Sequence, residues 1–311
     1  MELVLQLFQT FEIDVFVSAL LATCVFAFLA MKNTHIDELS KNWLTTYTYV
    51  WSRIILDISL VWGITLACIG LVGMTVNMDG SAFLSQSIVL VFSVIAITGL
   101  AAAIAFCVER ENLNVPIRLS ISGVILVLAI ILGICFYFIE STGVPFVGGF
   151  YNLTITSVQV LFLAALTLIG SLVTSLPWQK ILFKANLGVT LFLMTLGITS
   201  WFLNWSDFES SRQSTYLIAN VLMWGSVVHV SFYFVVMGTA KQPDARLRIK
   251  TWHFTEAFAF FAFLVYAPIG ATEYFRESAD QTALQAQHAS QQSEIDKLKA
   301  RLKELEATKT K

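Results

Sequence analysis

Long apolar runs recur along almost the whole sequence and limit what it can fold into. Each run has about 20 residues, the length that a helix needs to cross the hydrocarbon of a bilayer. The runs lie near residues 13–31, 48–75, 83–108, 116–139, 152–176, 182–203, 214–238 and 252–272. They are too long and too uniformly apolar to be barrel strands, which alternate over about ten residues. The pattern therefore predicts an all-α, polytopic membrane bundle of about eight transmembrane helices.

The distribution of basic residues predicts how these spans are oriented. Most Lys and Arg residues lie in or beside every second loop: Lys32, Lys41, Arg53, Arg110, Arg118, Lys180, Lys184, Lys241, Arg246, Arg248 and Lys250. The other side has Arg212 and Arg276. Loops rich in basic residues stay in the cytoplasm. We expect an integral protein of the bacterial inner membrane or its equivalent, with both termini facing outward into the periplasm.

The composition changes after Glu273, where a polar tail begins. We therefore divide the chain into a transmembrane helical bundle, residues 1–275, and a polar helical tail, residues 276–311. Four apolar residues of the tail repeat with spacings of 3, 4 and 3, as the seam of a coiled coil does: Ile295, Leu298, Leu302 and Leu305. The charges of Glu294, Lys299, Arg301 and Glu306 beside this seam suit a parallel partner.

Two heptads are fewer than a convincing coiled coil has, and two interpretations of the tail stay open. One is a solvated single helix or a frayed end. The other is a short coiled coil that makes a homo-oligomer or binds a partner.

Arg53 and Asp57 bring two opposite charges into the second span. They are four residues apart near its inner end and therefore share one helical face. We expect an inner-leaflet ion pair between them. The alternative is the entrance of a path for protons or ions.

Two histidines of the last two spans are candidates for chemistry, because ionisable groups are costly in hydrocarbon and often mark function there. His229 lies inside span seven, about 13 Å from its inner end at 1.5 Å per residue, whereas His253 begins span eight near the inner surface. Side chains at such different depths do not share one iron. We therefore predict no haem or metal bound by this chain alone.

Near the start of span eight, His253 and Glu256 lie three residues apart on one face, beside the interfacial anchor Trp252. With His229 they form the set that we expect to fix helix packing or to contact lipid or a partner. Asn186 and Asn220 are expected to make hydrogen bonds between helices. The sequence has no hydrolase or phosphate-binding motif, and no basic patch that indicates nucleic acid.

Over residues 150–271 the sequence resembles subunit III of haem–copper oxidases, a family that includes subunits accompanying some nitric oxide reductases. The matching residues are Gly225, His229-Val230-Ser231, Trp252-His253-Phe254-Thr255-Glu256, Phe260, Tyr266 and Gly270. Glu256 stands where the family has Asp, and span four lacks the carboxylate that the family carries in an earlier helix.

The resemblance implies a non-catalytic membrane subunit that stabilises a catalytic subunit and binds lipid, with haem and copper held by partner subunits of a respiratory complex. Two other functions stay open from the sequence. One is an ion channel or solute transporter with a coiled-coil oligomerisation tail. The other is a quinone-reactive membrane anchor of a dehydrogenase.

Overall fold

The described part of this computed structural model is helical. It covers residues 13–32, 43–77, 117–204 and 208–239, residue 103, and the tail residues 287, 288, 290–292, 295 and 297–299. Six helices lie in these ranges: α1 (Ile13–Met31), α2 (Trp43–Asn77), α3 (Ile121–Ser141), α4 (Leu153–Val173), α5 (Trp178–Leu203) and α6 (Phe208–Thr239). The described residues contain no strand, which agrees with the predicted all-α class.

Four of the helices are long and apolar enough to cross a membrane, which makes the chain an integral membrane protein. They are α3, α4, α5 and the Arg212–Gly238 part of α6, and they coincide with the predicted spans four to seven. The helices α1 and α2 cover the first two predicted spans and contain shorter apolar stretches. The runs at 83–108 and 252–272 lie outside the described residues, so the number eight stays a prediction.

Local signals set where the helices begin. The Ser120 side chain accepts a hydrogen bond from the Gly123 amide at 3.0 Å, and Asn152 accepts one from the Thr154 amide at 3.0 Å. Both residues cap a helix whose first amides have no partner within the helix. A π-helical turn, Phe146–Phe150, connects α3 to α4, and Gly148 allows it with φ of +94°.

Helix α6 lies at the centre of the described bundle. It packs against α2 and α5 along much of its length, and also against α3 and α4. Helix α6 runs antiparallel to both main neighbours, because contacting residue numbers rise on one helix as they fall on the other. Along α2, Asp57 and Thr65 contact Tyr233 and Ser226 of α6, respectively. Along α5, Phe183 and Asn186 contact His229 and Gly225 of α6, respectively. The large side chains of Trp62 on α2, Phe26 on α1 and Phe234 on α6 are fully buried, and Phe26 packs edge-on against Phe234.

The described basic residues of the bundle gather toward one end, which we call the basic end. There the last turn of α6 meets the segment before α3, since the Leu119 amide donates to the Met237 carbonyl at 3.3 Å. Lys32, Arg118, Lys180 and Lys184 lie at or near helix termini of this end, and Arg53 lies within α2, one turn before Asp57. Arg212 lies near the opposite end.

The chain divides into two units, Met1–Tyr266 and Ala267–Lys311. The division that we predicted between residues 275 and 276 falls outside the described residues and stays a prediction. In the second unit the described residues from 287 to 299 are helical, and Ile295 and Leu298 are exposed.

Candidate functional site

The candidate site is the set of polar side chains on α6, which point toward three different neighbours. Residues four apart on a helix lie on one face. One face of α6 meets the π-helical turn, a second meets α5, and a third meets α2. Each face makes a different kind of polar contact.

The first face holds the π-helical turn through three hydrogen-bond donors. Tyr216, Asn220 and Trp224 are spaced by four residues and donate to the carbonyls of residues 148–150. The Asn220 amide lies 3.0 Å and the Trp224 indole nitrogen 2.9 Å from the Phe150 oxygen. The Tyr216 hydroxyl donates to the carbonyls of Gly148 and Gly149. We call Tyr216, Asn220 and Trp224 the turn clamp.

The turn clamp satisfies backbone oxygens in a segment that is only partly helical. Gly149 and Phe150 are buried, and a buried carbonyl without a partner is costly, so donors from a neighbouring helix make such a turn tolerable. Phe146, Tyr151 and Trp224 also pack together, with Trp224 nearly perpendicular to both other rings. The clamp therefore fixes the path of the chain into α4.

The second face joins α6 to α5. The Asn186 side-chain amide donates to the Gly225 carbonyl at 2.9 Å, as the predicted hydrogen bond between helices requires. Gly225 lies so close to α5 that a Cβ atom there would overlap the side chain of Thr190. One turn further along α6, His229 is 1% exposed and lies edge-on to the ring of Phe183, with 5.1 Å between ring centroids.

The third face joins α6 to α2 through a hydroxyl pair and a carboxyl. The Thr65 hydroxyl donates to that of Ser226 at 2.9 Å. Seven residues further along, the Tyr233 hydroxyl donates to Oδ2 of Asp57 at 2.6 Å. Tyr233 is buried and Asp57 is half-buried. A hydrogen bond to a carboxylate is stronger than one between neutral groups, so this contact ties the two helices together near the basic end.

Sequence reasoning missed Tyr233 as a partner of Asp57. It expected Asp57 to pair with Arg53, one turn away on the same helix, and that ion pair stays a prediction. The turn clamp was missed as well, although its donors follow the spacing of four that marks one helical face. For Asn220 the acceptors lie in the π-helical turn and not in a second helix.

The described residues offer no metal centre, because no three His, Cys, Asp or Glu side chains among them lie close enough to hold an ion. His229 lies within a packed interface. His253, Glu256 and Trp252 are outside the described residues, and so are Leu302 and Leu305 of the tail, so the polar cluster at span eight and the complete seam stay predictions. Haem and copper in partner subunits are likewise untested.

A large apolar surface faces away from α6 on α4 and α3. In α4 only Thr156 and Gln159 are buried, and Gln159 donates to the Val221 carbonyl of α6 at 3.1 Å. The exposed large apolar side chains of α4 are Leu153, Val160, Leu161, Phe162, Leu166, Leu168, Ile169, Leu172 and Val173. A surface of this kind is suited to lipid tails or to another transmembrane helix.

No protein-family model, curated protein or solved structure matches this chain. The resemblance to subunit III therefore depends only on the matching residues given in the sequence analysis.

Proposed function

We propose that this chain is a non-catalytic membrane subunit of a respiratory haem–copper oxidase or a related membrane oxidoreductase complex. In this role it stabilises the catalytic subunit and binds lipid. Haem and copper are held by the partner subunits, and this chain takes no part in electron transfer.

The observation that carries the proposal is the position of Gly225 and His229. Both belong to the residue pattern that resembles subunit III, and both lie on the face of α6 that packs against α5. Gly225 permits close approach to Thr190, and His229 packs against Phe183. These contacts support a structural use of the pattern, in which the residues hold the bundle together.

The apolar face of α4 supports the part of the proposal that concerns a partner. This helix is 21 residues long and mostly apolar, yet only Thr156 and Gln159 are buried within the described part of the chain. Small and polar side chains drive close packing between transmembrane helices, and those of α4 that are buried, Thr156 and Gln159, face inward. We propose that the outward face contacts lipid and the catalytic subunit.

We propose an arrangement of eight spans with both termini outward. Gly73 near the end of α2 lies against Thr142 just after α3, where an added Cβ would be 2.7 Å from the threonine side chain. The C-terminal ends of α2 and α3 thus lie on the same side of the bundle. Because Ile117 comes just before the start of α3, Ile117 and Asn77 lie at opposite ends of the bundle. This supports the predicted span at 83–108. The gathering of basic residues at one end supports a cytoplasmic location for that end.

The test is purification of the tagged chain at native abundance from its own membranes in a mild detergent, followed by protein identification and an optical spectrum. We expect haem- and copper-binding subunits in fixed ratio to the chain, and no haem band from the chain when it is purified alone. An equally tagged, unrelated membrane protein from the same cells is the control. A stable homo-oligomer that conducts ions, or a haem spectrum from the isolated chain, contradicts the proposal.

A further inference from the structure

The two described residues of the apolar seam in the tail, Ile295 and Leu298, are exposed. Ile295 and Leu298 belong to a helical segment, and 45% and 62% of their surfaces are exposed. Single exposed apolar residues are ordinary. These two, however, are followed in the sequence by Leu302 and Leu305 in the same a/d register. In this register the sequence places four large apolar residues at successive a and d positions.

We propose that this seam binds the same seam of a second copy of the chain, as a parallel, in-register, two-stranded coiled coil. With Ile295 at position a, Leu302 occupies the next a position, and Leu298 and Leu305 occupy d positions. The first of these heptads has isoleucine at a and leucine at d, the combination that favours two strands in parallel coiled coils. The pairing is independent of the proposed subunit function, because it needs only two copies of this chain.

The charges beside the seam select the parallel arrangement. In a parallel pair, a g residue meets the e residue five positions later on the other strand. Glu294 then meets Lys299 of the second copy, and Arg301 meets Glu306 of the second copy. Two-fold symmetry repeats both contacts, so every charged e and g residue of these two heptads has a partner of opposite sign.

The antiparallel arrangement is disfavoured by the same charges. Placing Ile295 opposite Leu305, and Leu298 opposite Leu302, keeps all four apolar residues in the core. In that register g residues meet g residues and e residues meet e residues. Arg301 then lies beside Arg301 of the second copy, and Lys299 lies beside Lys299. Like charges in these positions are destabilising.

Two heptads are marginal for association in free solution. Anchoring of the tail to a membrane bundle raises the effective concentration of the second seam, since both copies are confined to one bilayer. The seam is therefore expected to pair in the intact protein.

Cysteine cross-linking of the full-length protein in membranes tests the proposal. A disulfide requires Cα atoms about 4.4 to 6.8 Å apart, a spacing that facing d positions provide. Leu298→Cys should therefore form a dimer of this chain on mild oxidation. Ala300→Cys, at the outward f position two residues away, is the matched control and should stay monomeric, and the unsubstituted chain measures the background from its native cysteines. Equal cross-linking at both positions, cross-linking of Leu298→Cys only to a different protein, or none at all, overturns the proposal.

A charge exchange in the Leu298→Cys background tests the strand direction. Glu294→Lys places two lysines together in each symmetry-related pair, so dimerisation should weaken by roughly tenfold. Adding Lys299→Glu restores opposite charges and should restore the cross-link. Normal amounts of each variant in the membrane show that the bundle has folded. A single change without effect, or a double change that fails to restore the dimer, overturns the parallel pairing.

Discussion

The hydroxyl of Tyr233 donates a hydrogen bond of 2.6 Å to the carboxyl of Asp57, and the two residues are 176 positions apart in the sequence. The contact joins α2 to α6 at the bundle end where the basic residues gather. The contact gives Asp57 a role in helix packing. The ion pair with Arg53 was the only partner that the sequence predicted for Asp57.

Removal of this hydroxyl tests how much the contact contributes. Tyr233→Phe keeps the ring and leaves the carboxyl without this donor, so we expect the free energy of unfolding in detergent to fall by about 1–2 kcal/mol. Tyr137→Phe, on the exposed face of α3, is the matched control and should change nothing. Equal stability of the Tyr233→Phe variant and the unsubstituted chain would show that the hydrogen bond is energetically neutral.

The close contact at Gly225 predicts that an alanine there lowers stability, whereas helix propensity alone would predict that it raises stability. Alanine is favoured over glycine within a helix by about 1 kcal/mol, yet Gly225→Ala should destabilise the protein by about 1–3 kcal/mol, because its Cβ overlaps Thr190. Gly188→Ala on α5 meets no atom within 4 Å and should be neutral or slightly stabilising. Thermal unfolding of both variants in the same detergent measures the difference.

A second substitution at Thr190 serves as the control for that mechanism. Thr190→Ala removes the hydroxyl and methyl groups that a new Cβ would meet, so it should recover part of the stability lost in Gly225→Ala. A Gly225→Ala variant as stable as Gly188→Ala would contradict the close α5–α6 packing.

The turn clamp is expected to protect the segment before α4. Trp224→Phe removes the indole donor to the Phe150 carbonyl but keeps an aromatic ring, so we expect a loss of about 1 kcal/mol. Amide hydrogen exchange of residues 149–151 should become faster, whereas Trp178→Phe, at an exposed position, should leave it unchanged. Unchanged exchange in the Trp224→Phe variant would contradict the role of the indole in holding this turn.

Sequence patterns predicted some of this architecture well, because membrane burial leaves a direct signal. The apolar runs at 152–176 and 182–203 match α4 and α5, and their ends differ by a few residues because Asn152 and Pro177 set where the helices begin. A buried amide in a span must find a partner, so the bond of Asn186 could be expected.

The partners themselves could not be predicted. The acceptor of Asn186 is a backbone oxygen of Gly225, and the acceptors of the turn clamp are carbonyls of a turn more than 65 residues earlier in the sequence. Such acceptors carry no side-chain signature, and only the packing of the helices brings them together. The contact between Tyr233 and Asp57 was missed for a different reason. The two residues are 176 positions apart, whereas Arg53 lies only four positions from Asp57 in the sequence.

The orientation of the bundle is open to a labelling experiment. Single cysteines in place of Lys180, near the basic end, and of Ser141, near the other end, lie at helix termini on opposite sides. A membrane-impermeant thiol reagent added from outside should label Ser141→Cys and leave Lys180→Cys unlabelled until the membrane is opened. The reverse pattern would overturn the orientation derived from the basic loops.

The central claim is that the chain stabilises a catalytic partner without performing the chemistry. The most direct measurement compares the oxidase activity per haem of the partner complex with and without this chain, followed over time during turnover. We predict equal initial activity in the two preparations and faster inactivation of the one that lacks the chain. Loss of the initial activity itself, or identical rates of inactivation, would contradict the claim.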